Sequence, residues 1–290
     1  MTAVFISIFI SIVLFAACNS GLSGEAHTIK MRLNKGDTFN HTIKMNMLMN
    51  TAVMGQSVNM NMKMESANSF EVMNADSLNK ELKMTYNNLH MSMDMGKLNQ
   101  AAVNTDSIMN SSTKGVIGKS VVFMLSKDNE IISTSGFDSL MTNESQSEAS
   151  RQMIKKMFSK EQLNNLFGMM FSMYPGKPVK VGESWTSKTV VNIADIDMKV
   201  NVKYTLIGVK NGLADIDVDG VIDGKGEMNK SSGVPLEIAM SGTQKGTMTI
   251  KMTDGYLQNG AYKMDIKADM VVMGQKIPMT MKADYTLNGK

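Results

Sequence analysis

Methionine occupies every second position in two neighbouring stretches of the chain, which contain Met45, Met47 and Met49, and then Met60, Met62 and Met64. Alternation with a period of two places every second side chain on one face of a β-strand. The segment between the stretches contains a glycine and favours a two-residue turn at residues 55–56. This turn pairs Met49 with Met62 and Met47 with Met64. It therefore predicts a β-hairpin with all four methionines on one face.

A second hairpin is predicted near the end of the sequence, where residues 272–275 repeat the Val-Met-Gly-Gln of residues 53–56. Placing the turn at the Gly-Gln pair again gives one apolar face. On the other face, this register puts Lys267 against Lys282, a like-charge pair that is mildly unfavourable. The two hairpins indicate that antiparallel β-structure dominates the fold.

Between the β-rich stretches, the apolar spacing changes to three and four residues, which is typical of amphipathic helices. The residues at this spacing are Met153, Met157, Phe158, Leu163, Leu166, Phe167, Met170 and Phe171. They predict two short helices, over residues 144–158 and 160–173. The Tyr-Pro-Gly sequence at residues 174–176 ends the second helix.

These patterns predict a mainly β fold, with curved antiparallel sheets in two related β-rich halves and a short helical segment between them. The first half covers residues 26–142, the helical segment 143–174 and the second half 175–290. A weak internal repeat supports the division, because Lys-Gly-Asp at residues 35–37 and Val-Gly-Glu at residues 181–183 each open an alternating stretch.

The first residues have the character of an export signal. The apolar run at residues 4–17 is shorter than the roughly 20 residues that a spanning helix needs, and it fits a signal peptide over residues 1–17. The run ends in Leu-Phe-Ala-Ala-Cys, which resembles a bacterial lipobox. That resemblance implies cleavage before Cys18, lipidation of its sulfur and membrane attachment through a tether at residues 18–25. Asn19 after the cysteine implies the outer membrane, with the protein facing the periplasm.

Composition excludes several function classes. The chain has a single cysteine and three histidines, which excludes an internal disulfide and a thiolate metal cluster. Its 30 basic and 27 acidic residues give a net charge of +3, without the clustered basic residues of a nucleic-acid-binding protein. No nucleophile motif or phosphate-binding loop is present. We therefore expect no enzymatic activity, no cofactor and no nucleic-acid partner.

Two candidate metal sites have simpler alternatives. The thioethers of Met47, Met49, Met62 and Met64, with His41 on the same predicted face, are suitable ligands for Cu(I). The alternative is that methionine fills a pliable core or lines a lipid site. The acidic residues Asp215, Asp217 and Asp219 begin like a calcium-binding loop, but the twelfth position is a glycine rather than glutamate. They also alternate with apolar residues, as in a solvated strand.

Several of these features together resemble a known family. The lipobox, the methionine hairpin, the helical segment and the Pro-Val-Lys-Val-Gly-Glu-Ser-Trp-Thr sequence at residues 178–186 are similar to a family of Bacteroidota lipoproteins of unknown function. The resemblance implies no activity and no catalytic residue. The architecture expected for this chain is similar to that of periplasmic lipoprotein carriers. This likeness implies a curved sheet with helices on its concave side.

The sequence thus favours a non-enzymatic envelope lipoprotein that binds an apolar ligand, such as lipid, in a methionine-lined concavity. The expected lining residues are Met47, Met49, Met62, Met64, Met157, Leu166, Phe167, Met170 and Trp185. The alternatives are an envelope protein that binds Cu(I) or Ca²⁺, and a purely structural envelope protein.

Overall fold

The computed structural model describes residues 24–53, 56–94, 115–140, 168, 170–193, 196–228 and 236–290. Within these ranges, eleven strands form one antiparallel sheet in the order β5-β4-β3-β2-β1-β11-β10-β9-β8-β7-β6. The strands are β1 Thr38–Val53, β2 Gln56–Ala75, β3 Asn79–Asp94, β4 Ser120–Ser126, β5 Ile131–Ser135, β6 Ser184–Ile193, β7 Ile196–Lys210, β8 Leu213–Met228, β9 Leu236–Lys251, β10 Leu257–Val272 and β11 Gln275–Gly289. A short helix, α1 (Phe137–Leu140), follows β5. The prediction of a mainly β, antiparallel fold is confirmed.

The two β-rich stretches of sequence join in a single sheet, which corrects the prediction of separate sheets. Strand β1 pairs with β11 from His41 opposite Gly289 to Thr51 opposite Met279. Without this pairing, each strand would present a long row of unpaired backbone groups at an edge. The relatedness of the two halves, and the domain boundaries, stay predictions.

Most of the predicted helical segment lies outside the described residues, as do the predicted signal peptide, Cys18 and most of the tether. The described end of the second predicted helix is helical at Gly168, Met170 and Phe171. The backbone N–H of Ser172 donates to the Gly168 carbonyl at 3.0 Å, and the helix ends before Pro175. Among the helices that the structure describes, none combines the length and the apolar character needed to cross a membrane.

Alternation along each strand separates an inner face from an outer face. On β4, the inner-face residues Val121, Phe123 and Leu125 are completely buried, and the residues between them are half-buried. The outer face carries charged side chains in cross-strand pairs. Lys44 Nζ lies 3.3 Å from Glu65 Oε2, on the outer side of β1 and β2. The inner face is therefore predominantly apolar from strand to strand, whereas the outer face of the sheet is in contact with solvent.

The predicted hairpin registers were wrong by two residues. In the first hairpin, Met49 pairs with Met60 and Met47 pairs with Met62, and residues 54–55 between the strands lie outside the described residues. Because the shift is even, the four methionines of the prediction still share one face. The predicted turn at residues 55–56 is excluded, since Gln56 already pairs with Val53.

The second hairpin gives the physical reason for the shift. Its turn consists of Met273 and Gly274, with φ angles of 51° and 78°. Positive φ at both central positions is the type I′ turn, in which glycine is second rather than first. The observed register places Asp265 opposite Lys282 and replaces the predicted pair of lysines. The Asp265 carboxylate and the Lys282 amine are 3.9 Å apart.

One end of the inner face is a closely packed core, which we call the base core. Its sheet residues are Phe39, Phe70, Val72, Leu82, Met84, Phe123 and Leu125 on one side, and Tyr204, Leu206, Ala214, Ile216, Val218, Met248, Ile250 and Leu257 on the other. The segment at residues 27–33 lies against both sides. His27 and Val179 exchange backbone hydrogen bonds, and the Arg32 guanidinium donates to the Met252 and Thr253 carbonyls at 2.9 Å each.

Candidate functional site

The inner face beyond the base core is lined by methionine, and we call this region the methionine surface. Its members are Met45, Met47, Met49, Met60, Met62, Met64, Met91, Met93, Met198, Met240, Met264, Met270, Met279 and Met281. They come from β1, β2 and β3 on one side and from β7, β9, β10 and β11 on the other. No charged side chain occupies an inner-face position in this part of the described strands.

Neighbouring strands bring these thioethers into contact range. Met62 on β2 lies opposite Met47 on β1 and opposite Met93 on β3. Met49 lies between Met60 of β2 and Met281 of β11. Directly opposite residues in an antiparallel pair have Cβ atoms about 4.5–5.5 Å apart. The methionines therefore form a continuous strip rather than isolated side chains.

Strand β8 contributes glycine where the strip crosses it. A Cβ atom at Gly224 would lie 2.8 Å from Met240 Cγ and 3.2 Å from Met198 Cγ. The side chains of β7 and β9 thus occupy the space above the glycine backbone. Met198 and Met240 pack in one cluster with Met49, so the methionine surface reaches from β7 to β1 without a break.

Much of the methionine surface is only partly buried. Met45, Met91 and Met279 are buried, whereas the other members keep part of their area exposed. Methionine has three rotatable bonds and no branch, so these side chains adapt to irregular shapes. The arrangement supplies an uncharged, deformable apolar surface, and it contains no group suited to acid–base or nucleophilic chemistry.

The residues expected to line a ligand site divide into three groups. Met47, Met49, Met62 and Met64 lie together on the methionine surface. Met157, Leu166 and Phe167 lie outside the described residues. Met170 packs on the base core.

Trp185, the remaining predicted lining residue, also packs on the base core. Its indole N–H donates to the Met173 carbonyl at 2.9 Å, and its ring stacks on Tyr204 with centroids 5.6 Å apart. This geometry fits a packing anchor that holds the segment before β6 against the sheet.

The candidate copper ligands are not all adjacent. His41 is on the inner face, as its parity predicted, but six positions along β1 from Met47 it is about 20 Å away. It lies beside the stacked rings of Phe39 and Phe70, with ring centroids 5.4 Å from each. Burial lowers the pKa of His41 to about 4, so the ring is neutral at pH 7. The structure therefore separates the histidine from the four methionines.

The candidate calcium ligands lie on a regular strand. Asp215, Asp217 and Asp219 alternate along the outer face of β8, where Asp215 accepts a hydrogen bond from the Thr249 hydroxyl at 2.8 Å. Asp219 has Lys245 opposite it on β9. A strand spreads these carboxylates along a solvated face instead of wrapping them around an ion. Within the described ranges, no three His, Cys, Asp or Glu side chains come close enough to hold a metal.

Two polar residues near His41 were not identified from the sequence. Ser66 and Asn68 are buried on the inner face of β2, and Asn68 lies directly opposite His41. The signal that could have found them is parity, because a serine and an asparagine occupy positions that the methionine alternation assigns to the apolar face.

Among solved structures, the sheet resembles part of lipovitellin, from a study of lipid–protein interactions in that protein. The match has 7% identity and a TM-score of 0.50, and it covers 89% of this chain and 25% of the lipovitellin chain. This chain therefore spans a quarter of that protein, and the likeness concerns the fold alone. An outer membrane channel from Pseudomonas putida F1 matches at 6% identity over 90% of this chain and 97% of its own, but its TM-score of 0.22 supports no inference.

At the level of sequence, no curated protein matches the chain. A family model does match it over residues 77–257, which is more than half of its length, and the description of that model is a family of unknown function. This range contains β3 to β9, together with the start of β10 at Leu257. The expectation of an uncharacterised family is confirmed. The chain belongs to the family of unknown function DUF6263.

Proposed function

We propose that this protein is a non-enzymatic envelope lipoprotein that binds an apolar ligand, such as lipid, on the methionine surface. The observation that carries the proposal is the combination of continuity, partial exposure and lack of charge in that surface. Covering apolar area contributes roughly 25 cal/mol per Å². An acyl chain lying on the strip would therefore gain free energy from many small contacts and would need no specific polar partner along its length.

The choice of methionine supports a ligand of variable shape. Branched and aromatic side chains hold one conformation, whereas methionine repacks around different partners. Lipids that differ in chain length or unsaturation present such different shapes. The likeness to lipovitellin, whose structure was described in terms of lipid–protein interactions, is compatible with this reading.

Membrane attachment completes the proposal. Lipidation of Cys18 would anchor the chain at the outer membrane, facing the periplasm. The tether at residues 18–25 would extend to about 27 Å, so the sheet would stay close to acyl chains. Replacing Cys18 with alanine should abolish fatty-acid labelling and release the protein from membranes. Unchanged labelling in Cys18→Ala would contradict this part of the proposal.

Native mass spectrometry of the mature protein tests the binding function. We expect the purified protein to carry lipid, and we expect a Met47→Gln, Met62→Gln variant to lose it, because two amides would interrupt the apolar strip. Leu48→Gln is the matched control, since Leu48 is 47% exposed on the outer face of the same strand. Wild-type protein that carries no lipid and takes up none from vesicles would contradict the function and favour a structural role.

A Cu(I) site is the second candidate, and one observation favours it. Met47–Met62 and Met49–Met60 are consecutive cross-strand pairs on one face of β1 and β2, so four thioethers lie close together. Soft sulfur ligands select Cu(I). Stoichiometric Cu(I) in the same mass spectra, lost in the double variant and retained in Leu48→Gln, would support this candidate over lipid.

A further inference from the structure

Three uncharged polar side chains form an island on the inner face, between the base core and the methionine surface. His41 on β1 lies directly opposite Asn68 on β2, and Ser66 is the next inner-face residue of β2. The Ser66 hydroxyl lies 3.3 Å from Asn68 Oδ1 and donates to it. The three residues are only 6%, 7% and 7% exposed, in the order His41, Ser66 and Asn68. Burial of polar groups at an otherwise apolar position requires an explanation.

The island has an unused hydrogen-bonding atom. Nε2 of His41 is buried, and no hydrogen-bond partner for it is present in the described part of the chain. A buried polar atom without a partner costs about 1–3 kcal/mol. The imidazole packs beside the rings of Phe39 and Phe70, which offer no hydrogen bond to Nε2 and leave this cost uncompensated. A ligand that supplied the missing hydrogen bond would recover it.

We propose that His41, Asn68 and Ser66 anchor the uncharged polar group of an amphiphile whose apolar chain lies along the methionine surface. The inference rests on the proposed function and adds the chemical class of the ligand. The group is uncharged because the island and the inner-face positions around it contain no charged side chain in the described strands. A buried ionic headgroup would lose its hydration without gaining a counter-charge.

The position of the island fits a long-chain ligand. Met49 is eight residues beyond His41 on β1, or about 26 Å at roughly 3.3 Å per residue. The inner-face residues between them are Ile43, Met45 and Met47, all apolar. A hydroxyl is the simplest headgroup, because it donates and accepts and so matches either neutral tautomer of His41.

Competition against a fluorescent apolar probe, 1-N-phenylnaphthylamine, tests the anchor. We expect dodecan-1-ol to displace the probe at a concentration about tenfold lower than dodecane, which corresponds to one hydrogen bond of about 1.4 kcal/mol. His41→Phe should remove this difference and still bind the probe, because a phenylalanine ring can keep the contacts of the imidazole with the neighbouring rings of Phe39 and Phe70. His90→Phe is the matched control, since His90 is exposed on the outer face of β3.

The outcomes separate the anchor from the proposed function. Equal displacement by dodecan-1-ol and dodecane in the wild type would overturn the anchor and leave apolar binding intact. Displacement by dodecanoate at the concentration needed for dodecan-1-ol would overturn the uncharged class. A wild type that does not bind the probe at all would overturn the proposed function, and the anchor with it.

Histidine-selective ¹⁵N NMR of the wild type gives a second readout that needs no variant. The chain contains three histidines, so their ring signals are few and assignable. Dodecan-1-ol should shift the Nε2 signal of His41 and leave those of His27 and His90 in place. An unchanged His41 signal at saturating dodecan-1-ol would refute the anchor.

Discussion

The base core and the methionine surface occupy the same face of one sheet, yet different side chains predominate in them. On β1, Phe39 in the base core is 2% exposed and stacks on Phe70 with ring centroids 4.7 Å apart. Met47 lies eight positions further along the same face and is half-buried. On β1 and β2, aromatic and branched side chains predominate in the base core, where the chain itself supplies the partner, and unbranched methionine predominates beyond it.

One face of the sheet thus divides into a packed region and an adaptable region. The base core packs against fixed segments, residues 27–33 and 173–179, so its side chains need only one arrangement. Close packing of this kind gives stability and a unique structure. The side chains of the methionine surface can adopt several arrangements, so this region is less uniquely packed and more adaptable. We therefore expect substitutions in the base core to change stability, and substitutions on the methionine surface to change binding.

The largest difference in the free energy of unfolding is expected between two truncations on β1. Phe39→Ala should lower the free energy of unfolding by about 3–5 kcal/mol, because it empties a fully buried aromatic position. Met47→Ala should lower it by only about 1 kcal/mol, since part of that side chain is already in solvent. Urea unfolding of both variants measures the difference. Equal destabilisation would remove the distinction between the two regions.

Acid should lower the free energy of unfolding through His41, which lies at the boundary between the two regions. Burial lowers its folded-state pKa to about 4, against about 6.5 when unfolded. The unfolded chain therefore binds the proton first, and stability that is complete above pH 6.5 is lost as the pH falls toward 4. The full loss is about 3 kcal/mol at about 1.4 kcal/mol per pKa unit.

Comparison with His41→Phe isolates this contribution from that of the carboxylates. The groups opposite His41 on β2 and β11 are Asn68 and Gly289, and neither titrates. Unfolding free energies between pH 7 and pH 4 should fall more steeply in the wild type than in His41→Phe. Parallel pH profiles would show that His41 is not buried as described.

Two glycine-to-alanine substitutions compare how easily the two regions accommodate an added methyl group. A Cβ at Gly246 would lie 2.9 Å from Tyr262 Cδ1 and 2.8 Å from Tyr262 Cα, so Gly246→Ala must displace backbone and should cost about 1–3 kcal/mol. The three atoms nearest to a Cβ at Gly224 all belong to the side chains of Met240 and Met198, at 2.8 to 3.2 Å. Because methionine can move aside, Gly224→Ala should cost less than about 1 kcal/mol. Thermal unfolding ranks the two variants, and the reverse order would contradict the pliability of the methionine surface.

The smallest effect concerns the turn between β10 and β11. Met273 has a φ of 51° and is 85% exposed, so its side chain contributes little packing. Asparagine tolerates positive φ, and Asn-Gly is the preferred type I′ sequence. Met273→Asn should therefore raise the free energy of unfolding by about 0.5 kcal/mol, with no change in ligand binding. A loss of stability would indicate a different turn.

Parts of the fold could be predicted from sequence, because alternation alone determines which residues share a face. The hairpin registers could not be predicted from a glycine alone, since glycine is compatible with either central position of a two-residue turn. Charge on the outer face held the missing information, as Asp265 opposite Lys282 is favoured over Lys267 opposite Lys282. The pairing of β1 with β11 joins strands far apart in sequence, and a local pattern does not encode such a pairing.

The candidate site was predictable to the same extent. Parity correctly placed Met47, Met62 and His41 on one face. It did not separate the base core from the methionine surface, because that division depends on which distant segments cover the sheet. The indole hydrogen bond of Trp185 to the Met173 carbonyl is a tertiary contact of this kind.

Methyl NMR of ¹³C-methyl-methionine protein, with dodecan-1-ol added, shows which methionines contact an amphiphilic ligand. We expect shifts at Met47, Met49 and Met62, with no change at Met73 on the outer face or at Met84 in the base core. These last two residues are internal controls, because one is exposed away from the site and the other is fully buried. Shifts confined to Met73 and other outer-face signals, or no shift at any methionine, would contradict ligand binding on the methionine surface.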